Sequence, residues 1–556
     1  MDEAAPAAPA RYAVTMFVAL AGGIIYILMK AYRARKIVND LRKQGYAMPK
    51  FNWITGHMLA IKPFVDKLPP DAITNYIMTT MAFAMKKNAF YLDFWPLSDP
   101  ILVVTSPQLA SQLTQEFNPL KPGNINSAFA HLCGGPNLFT MPDGPWKRWR
   151  AIFNPGFSPT YMLDQTPKIV DQCRIFCDKM RQRVRAGEMF PLEEDTLRLT
   201  LDVIGIVSMD TDFNYQHGDS DIPKSLRGLI EWVSFGTEMN PFNRWTPRRP
   251  FMISYYGRKV DKFIDKELQK RYAERKTSLE EEDQKQQQPR SKKAKSIVAL
   301  ALDAYAAETQ SDALDSTFLH YARSQIRLFL FAGHDTTSSA MIYVFHYLSL
   351  HPPCLARLRA EHDAVLGADP SAAGAVLSAQ PTLLNQLPYT TACIREALRL
   401  FPPASSLRVG GVNTVLVDED GTRYPTAGCN VWALHLALQR NPAVWGATAD
   451  QFLPERWLAG PDDPLHPPKG AWRPFEFGPR NCIGQTLAMS EMKIVLAMTA
   501  REFEFRDAYE EWDRLHPSKH IKTALGDRAY QVEGGGGGSH AANRYPCRVY
   551  FAGERR

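Results

Sequence analysis

The sequence predicts a mainly α-helical protein with small β-sheets attached, tethered by an N-terminal transmembrane helix. Three observations carry this. Residues 12–29, YAVTMFVALAGGIIYILM, hold neither a charge nor a proline. From about 106 to 400, apolar residues recur at spacings of three and four, as in PQLASQLTQEF and QIRLFLFAGHDTTSSAMIYVFHYLSL, the period of helices with a buried face. Strand-like runs are short and confined to 90–107, to the proline- and glycine-marked stretch 401–480, and to the tail AYQVEGGGGGSHAANRYPCRVYF, which reads as two strands joined by a glycine loop.

The apolar run at 12–29 is long enough to cross a bilayer and longer than a signal-peptide core. Asp2, Glu3 and Arg11 precede it; Lys30, Arg33, Arg35, Lys36, Arg42 and Lys43 follow it. The positive-inside rule therefore predicts a lumenal segment 1–11, a single span 12–29, a basic cytosolic linker 30–45 and a cytosolic domain 46–556, in a eukaryote on the endoplasmic reticulum membrane. Within the domain, KTSLEEEDQKQQQPRSKKAKS (276–296) is charged and glutamine-rich, the composition of a flexible surface linker.

At 556 residues, with 45% hydrophobic and 22% charged residues, the chain has ordinary globular composition and a large core. Lys+Arg 65 against Asp+Glu 58 gives a net charge of only +7, and no basic run is interleaved with aromatics, so nucleic acid is not expected as a partner. The eight cysteines are scattered, without CxxC or zinc-type spacing, as in a reduced, cytosol-facing protein.

Chemistry concentrates in RPFEFGPRNCIGQTLAMSEMKIVLAM, residues 473–498. Its turn delivers Cys482 to the start of a helix, where unpaired N–H groups and the dipole favour an anion. A thiolate there serves as a nucleophile, or as a ligand to a soft metal or haem iron; an inert buried thiol fits so unusual a turn poorly. Gly478 and Gly484 clear side chains on both sides for a flat group, and Arg480 offers a cation to a carboxylate. Upstream, FLFAGHDTTSSA (329–340) puts Gly333 and the acid–alcohol pair Asp335–Thr336 inside an apolar helix, against propensity and polarity. In CIREALRLFPP, Glu396 and Arg399 share a helix face, ordinarily an exposed ion pair. DGPWKRWRAIFNPGFSP places Trp146 and Arg150 one helical turn apart.

Phe475-x-x-Gly478-x-Arg480-x-Cys482-x-Gly484 resembles the haem-binding signature of the cytochrome P450 family, and the other motifs follow in that family's order over most of the chain. The resemblance implies the cytochrome P450 fold, with haem b (iron-protoporphyrin IX) ligated by the Cys482 thiolate. It gives Thr336 a hydrogen bond to iron-bound dioxygen, with Asp335 relaying protons. Trp146, Arg150, Arg408 and Arg480 become haem partners. Glu396, Arg399 and Arg456 of FLPERW become a structural triad that shapes the core around the thiolate loop. Gln439–Arg440 departs from the His–Arg of many relatives, and the glycine run 534–538 reads only as a lengthened loop.

The implied activity is a monooxygenase that inserts one atom of dioxygen into an apolar small molecule, by C–H hydroxylation or epoxidation. Electrons come from NADPH through cytochrome P450 reductase, with cytochrome b5 as an accessory donor. Lys147, Arg148 and Arg473 form the basic patch expected to steer the reductase. The substrate cavity is expected from the loop 120–142, the helix near 200–240, and Phe329, Ala332 and Thr336, with phenylalanine, leucine and methionine in its lining. The style of the motifs is similar to fungal members that tailor secondary metabolites, polyketides or terpenoids. The rival readings are an isomerase or dehydratase on the same fold, a xenobiotic or fatty-acid hydroxylase, a haem sensor or carrier, and a cysteine hydrolase that leaves four motifs without a role.

Overall fold

The apolar periodicity closes into long helices in a computed structural model that describes residues 8–234, 246–284, 295–309, 313–534 and 538–553. Those that position the site are α1 (Ala8–Lys43), α2 (Asp143–Phe153), α3 (Thr166–Ala186), α4 (Leu192–Met209), α5 (Arg249–Gln284), α6 (Ser316–Leu350), α7 (Pro388–Leu400) and α8 (Gln485–Thr499). The strands are β1 (Ala89–Leu92), β2 (Ile101–Val104), β3 (Phe190–Pro191), β4 (Ser406–Val409), β5 (Val415–Val417), β6 (Arg423–Pro425), β7 (Asn430–Ala433), β8 (Phe503–Asp507), β9 (Gln531–Glu533), β10 (Ser539–Ala541) and β11 (Pro546–Phe551). The protein is thus mainly helical with small sheets.

α6 runs through the core. It starts where the Asp315 carboxylate accepts the Phe318 N–H at 2.8 Å and stops before Pro352, which cannot continue it. α4 lies along it so closely that a Cβ on Gly333 would meet Ile204 at 2.8 Å. Gly333 is therefore required by this helix contact, not only by a groove over a ligand. Two polar ties lock the register: Thr196 Oγ1 lies 2.7 Å from Ser338 Oγ, and Thr200 Oγ1 donates to the His334 carbonyl at 2.9 Å.

The main sheet has the order β1-β2-β7-β4, with β2 and β7 parallel and the other pairs antiparallel. In the tail, β9 and β10 pair antiparallel around the glycine run, while β11 joins β3 and β8 in a separate sheet.

α1 continues without a break through most of the expected basic linker 30–45. Its stretch Thr15–Lys43 is the one described helix long and apolar enough to cross a membrane. Phe17, Ile24 and Leu28 are exposed, whereas Val38 and Leu41 are buried against the domain. Arg35 forms a buried ion pair with Asp93 and donates to the carbonyls of Trp53, Ile54 and Trp95 at 3.0–3.1 Å. The expected linker 276–296 likewise begins inside a helix, α5; residues 285–294 lie outside the described residues.

The end of α7 is held by a buried charge cluster. Glu396 receives Arg399 in a two-pronged pair at 2.8 and 2.9 Å, Arg456 Nε at 3.1 Å, Trp457 Nε1 at 3.0 Å and the Leu453 N–H at 3.0 Å. Arg399 also donates to the carbonyls of Gln439, Ala449 and Gln451. So dense a set of donors offsets the desolvation of the carboxylate. Replacing Glu396 by Ala strands two buried guanidiniums; it is expected to cost about 3–5 kcal/mol, read as a lower denaturant midpoint.

Candidate active site around Cys482

The loop before α8 folds back on itself, the Cys482 N–H donating to the Phe475 carbonyl at 2.8 Å. Gly478 takes φ +129°, and a Cβ there would stand 2.7 Å from the Thr114 carbonyl oxygen. This close backbone approach, rather than room for a flat group, is what demands glycine at 478. Gly484 does face the cavity, where a Cβ would make only an ordinary 3.8 Å contact with the cysteine sulfur.

Arg473 roots the loop. It is fully buried and donates to Gly470 O, Ser111 Oγ, Thr114 Oγ1 and Glu476 Oε1. It therefore contributes nothing to a surface patch for a reductase. Lys147 and Arg148 remain exposed, Arg148 paired with Glu308 at 2.8 Å. The Arg473 N–H donates to Gln439 Oε1 at 2.6 Å, while Gln439 Nε2 donates to the carbonyls of Leu398 and Arg399. Gln439 is thus the link between the Glu396 cluster and the cysteine loop, a role its departure from the family pattern had hidden.

Cys482 lines the cavity and is exposed by its accessible surface, while the protein around the cavity still desolvates the thiol. Burial raises its pKa; the N–H groups of Gly484 and Gln485 and the Arg150 guanidinium pull the other way and are outweighed. The helix start alone therefore does not leave the free thiol ionised, contrary to the expectation from its position. A bound cation would tip the balance. Among the described residues no group of three His, Cys, Asp or Glu side chains could hold a metal ion. A lone thiolate suits a metal that brings its remaining ligands with it.

The cavity also collects Trp146, Arg150, Arg408, Arg480 and Thr336. Arg150 donates to the Asn481 carbonyl at 3.0 Å and to its Oδ1 at 3.2 Å, bracing the cysteine loop. Arg480 lies over the Trp146 ring at 4.7 Å and donates to Met141 O and Asp143 Oδ1. Arg408 is buried, with only a 3.4 Å bond to Leu407 O. The Nε atoms of Arg408 and Arg480 are buried without a partner. Lys121, in the loop expected to line the cavity but not singled out there, adds a further basic side chain; its Nζ lies 3.9 Å above the Phe139 ring, and burial with the Arg408 charge pulls its pKa well below the usual lysine range. Glu476 is the opposing anion: burial works against its charge, but His435 at 3.5 Å and Arg473 hold its carboxyl below the usual range. Cations with unspent donors on one rim, an apolar body and a thiol fit a flat apolar group with carboxylates at one edge and a metal at its centre.

The lining also holds an apolar set: Leu138, Phe139, Ile204, Leu328, Phe329 and Ala332. Of the expected stretch 200–240 only Ile204 lines it, residues 235–245 lie outside the described residues, and no described methionine takes part. Thr336 Oγ1 donates to the Ala332 carbonyl at 2.8 Å at the cavity edge. Asp335 does not line the cavity; it is buried on another face of α6 beside His540. Glu396, Arg399 and Arg456 lie outside the cavity lining.

The family model for Cytochrome P450 matches residues 48–532. The chain is 38% identical over 546 residues to Cytochrome P450 monooxygenase polC of Polytolypa hystricis (strain UAMH7299), covering 97% of this chain and 95% of that protein. It is 32% identical to Cytochrome P450 monooxygenase acrF of Aspergillus aculeatus, over 84% of this chain and 95% of that one. A mammalian relative, Cytochrome P450 4A10 of Mus musculus, is 26% identical over 87% of this chain and 89% of its own length.

Replacing Gly478 by Ala puts a side chain into a disallowed backbone region and against Thr114. It is expected to cost about 1–3 kcal/mol and to lower both the unfolding midpoint and haem retention.

Proposed function

The chain belongs to the cytochrome P450 family and is a monooxygenase of that family; from this premise we propose that it inserts one oxygen atom from dioxygen into an apolar polyketide or terpenoid in fungal secondary metabolism, by C–H hydroxylation or epoxidation. The observation that carries this reading is one cavity lined together by Cys482, the cations Arg150, Arg408 and Arg480, Thr336 and a set of apolar side chains. The names of the fungal relatives are in keeping with the class of enzyme. Haem b, which the Cys482 thiolate would hold, would supply the oxygen activation when bound.

The chain's own residues do the rest. Arg408 and Arg480 would offer their unspent Nε donors to carboxylates of the cofactor, with Trp146, Arg150 and Lys121 also in the lining. Thr336, its hydroxyl proton on the Ala332 carbonyl, keeps oxygen lone pairs available at the cavity edge and loosens the α6 ladder there. Asp335, one residue earlier, is the acid that brings protons to this point. Phe329, Leu328 and Leu138 exclude water and hold an apolar substrate. α1 anchors the enzyme in the endoplasmic reticulum membrane with the domain in the cytosol. NADPH–cytochrome P450 reductase, with cytochrome b5 as a second donor, meets the face that carries Lys147 and Arg148.

Reduced with dithionite and exposed to carbon monoxide, the purified protein is expected to show the red-shifted Soret band of thiolate ligation; Cys482→Ser abolishes it. A band like that of histidine-ligated haem in the wild type would refute the assignment. In a screen of polyketide and terpenoid scaffolds with reductase, Thr336→Ala is expected to keep the band but to lower product formed per NADPH oxidised.

A further inference from the structure

The glycine hairpin reaches α6 through a buried cluster. His540 of β10 stands with Nε2 3.0 Å from Asp335 Oδ1 on α6, and with Nδ1 3.1 Å from Glu193 Oε1 on α4. All three side chains are buried; among the described residues neither ring nitrogen of His540, nor Asp335 Oδ2 nor Glu193 Oε2, has a partner in hydrogen-bond geometry, so the two contacts are close ion pairs. The ends of the glycine run are shaped to this contact: a Cβ at 534 would collide with the His540 ring, and one at 538 with the Asp335 carboxylate. Ser339 Oγ donates to the Ser539 carbonyl, and the Ser539 N–H to Pro403 O, so β10 is fastened to α6 and to the cavity-lining segment.

Two carboxylates enclosed without a counter-charge would be prohibitive, so the imidazole between them is cationic. Burial opposes that charge, but Asp335 and Glu193 outweigh it and push the His540 pKa well above the usual range. In return His540 keeps Asp335 ionised against its own burial. The other groups facing Asp335 are His334, held neutral by burial with its Nδ1 2.7 Å from Leu330 O, and Arg227, already paired with Glu194. A mere pin for the hairpin needs no titrating ring. Here the ring's second nitrogen faces Glu193, the member of the three with the most exposed side chain, at 11% against 7% and 6%.

We propose that His540 is the positioning residue from which Asp335 recovers its proton. This rests on the role of Asp335 proposed above. A small rotation of the ring aligns Nε2–H on Oδ1; the proton then moves to the Asp335 carboxylate and leaves a neutral imidazole whose Nδ1–H stays beside Glu193. Once the acid has passed that proton toward the cavity, the cluster holds two anions and no cation. One proton from solvent, entering past Glu193, restores the imidazolium. No electrons move within the cluster.

The test uses the full-length, haem-loaded protein with a microsomal reductase in phosphatidylcholine vesicles. Wild type, H540Q, E193Q, D335N and the H540Q/D335N double variant are compared for NADPH-driven oxygen consumption and its solvent isotope effect. H540Q is expected to slow consumption about tenfold or more and to enlarge the isotope effect, with the double variant no slower than D335N. E193Q falls between H540Q and wild type. A second readout is the thermal midpoint against pH. His540 binds its proton more tightly in the folded state, so its stabilisation is complete below the unfolded pKa near 6.5 and is lost as pH rises toward the folded value. The wild-type midpoint is therefore expected to fall above about pH 6.5 more steeply than that of H540Q. A wild-type rate in H540Q beside a slow D335N overturns the His540 proposal and leaves Asp335 in place. Wild-type rates in both overturn the reading of Asp335 itself. Multiplicative slowing in the double variant, or identical midpoint profiles, also overturns the proposal. Should H540Q fail to fold, E193Q decides by the same rate and isotope criteria.

Discussion

The position of the thiol depends on a carboxylate that never meets it. Glu396 is buried, and it stays so because Arg399, Arg456, Trp457 and the Leu453 N–H converge on it. A pair of this kind contributes little net stability once desolvation is counted, but it tolerates almost no displacement. From it the constraint passes through Arg399 to the Gln439 carbonyl, through the Gln439 side chain to the Arg473 N–H, and through Arg473 to Ser111 and Thr114. The loop that ends in Cys482 is hung on this chain. Its geometry comes from charge and hydrogen bonds laid down on α7 and the segment after it, not from the turn alone.

α6 shows the opposite use of polarity. Its apolar residues build the core, while Gly333, Asp335 and Thr336 weaken it as a helix. The weakening is compensated locally. α4 fills the space over Gly333, Thr200 takes the His334 carbonyl and Thr196 meets Ser338, so the helix keeps its course where its ladder is loosened. The result is a helix continuous from Ser316 to Leu350 whose Gly333 and Thr336 line the cavity.

The apolar N-terminal helix is joined to this core without a break at its C-terminal end. Arg35, buried against Asp93 and three carbonyls, makes the last turns of α1 part of the domain. The direction of the apolar helix and the orientation of the domain are thereby coupled. A basic segment that serves as a topology signal in the sequence serves as a structural plug in the fold.

By itself the sequence determined the class of the protein: long amphipathic helices, small sheets, an apolar N-terminal helix, and a cysteine turn preceded by an acid–alcohol pair in a buried helix. These are local patterns, written in spacings of two, three, four or a few residues, and they survive without tertiary information. What joins distant segments was not legible. Nothing in the sequence brings Lys121 to Arg408, Gln439 to Arg473, or His540 to Asp335 and Glu193. Arg473 looked like a surface cation beside the thiol and is a buried root; the glycine run looked like a spare loop, and its ends Gly534 and Gly538 are cut to the shape of a buried ion cluster. Whether a charge faces water or another charge is decided by which elements close over it, and only the packed structure brings those elements together.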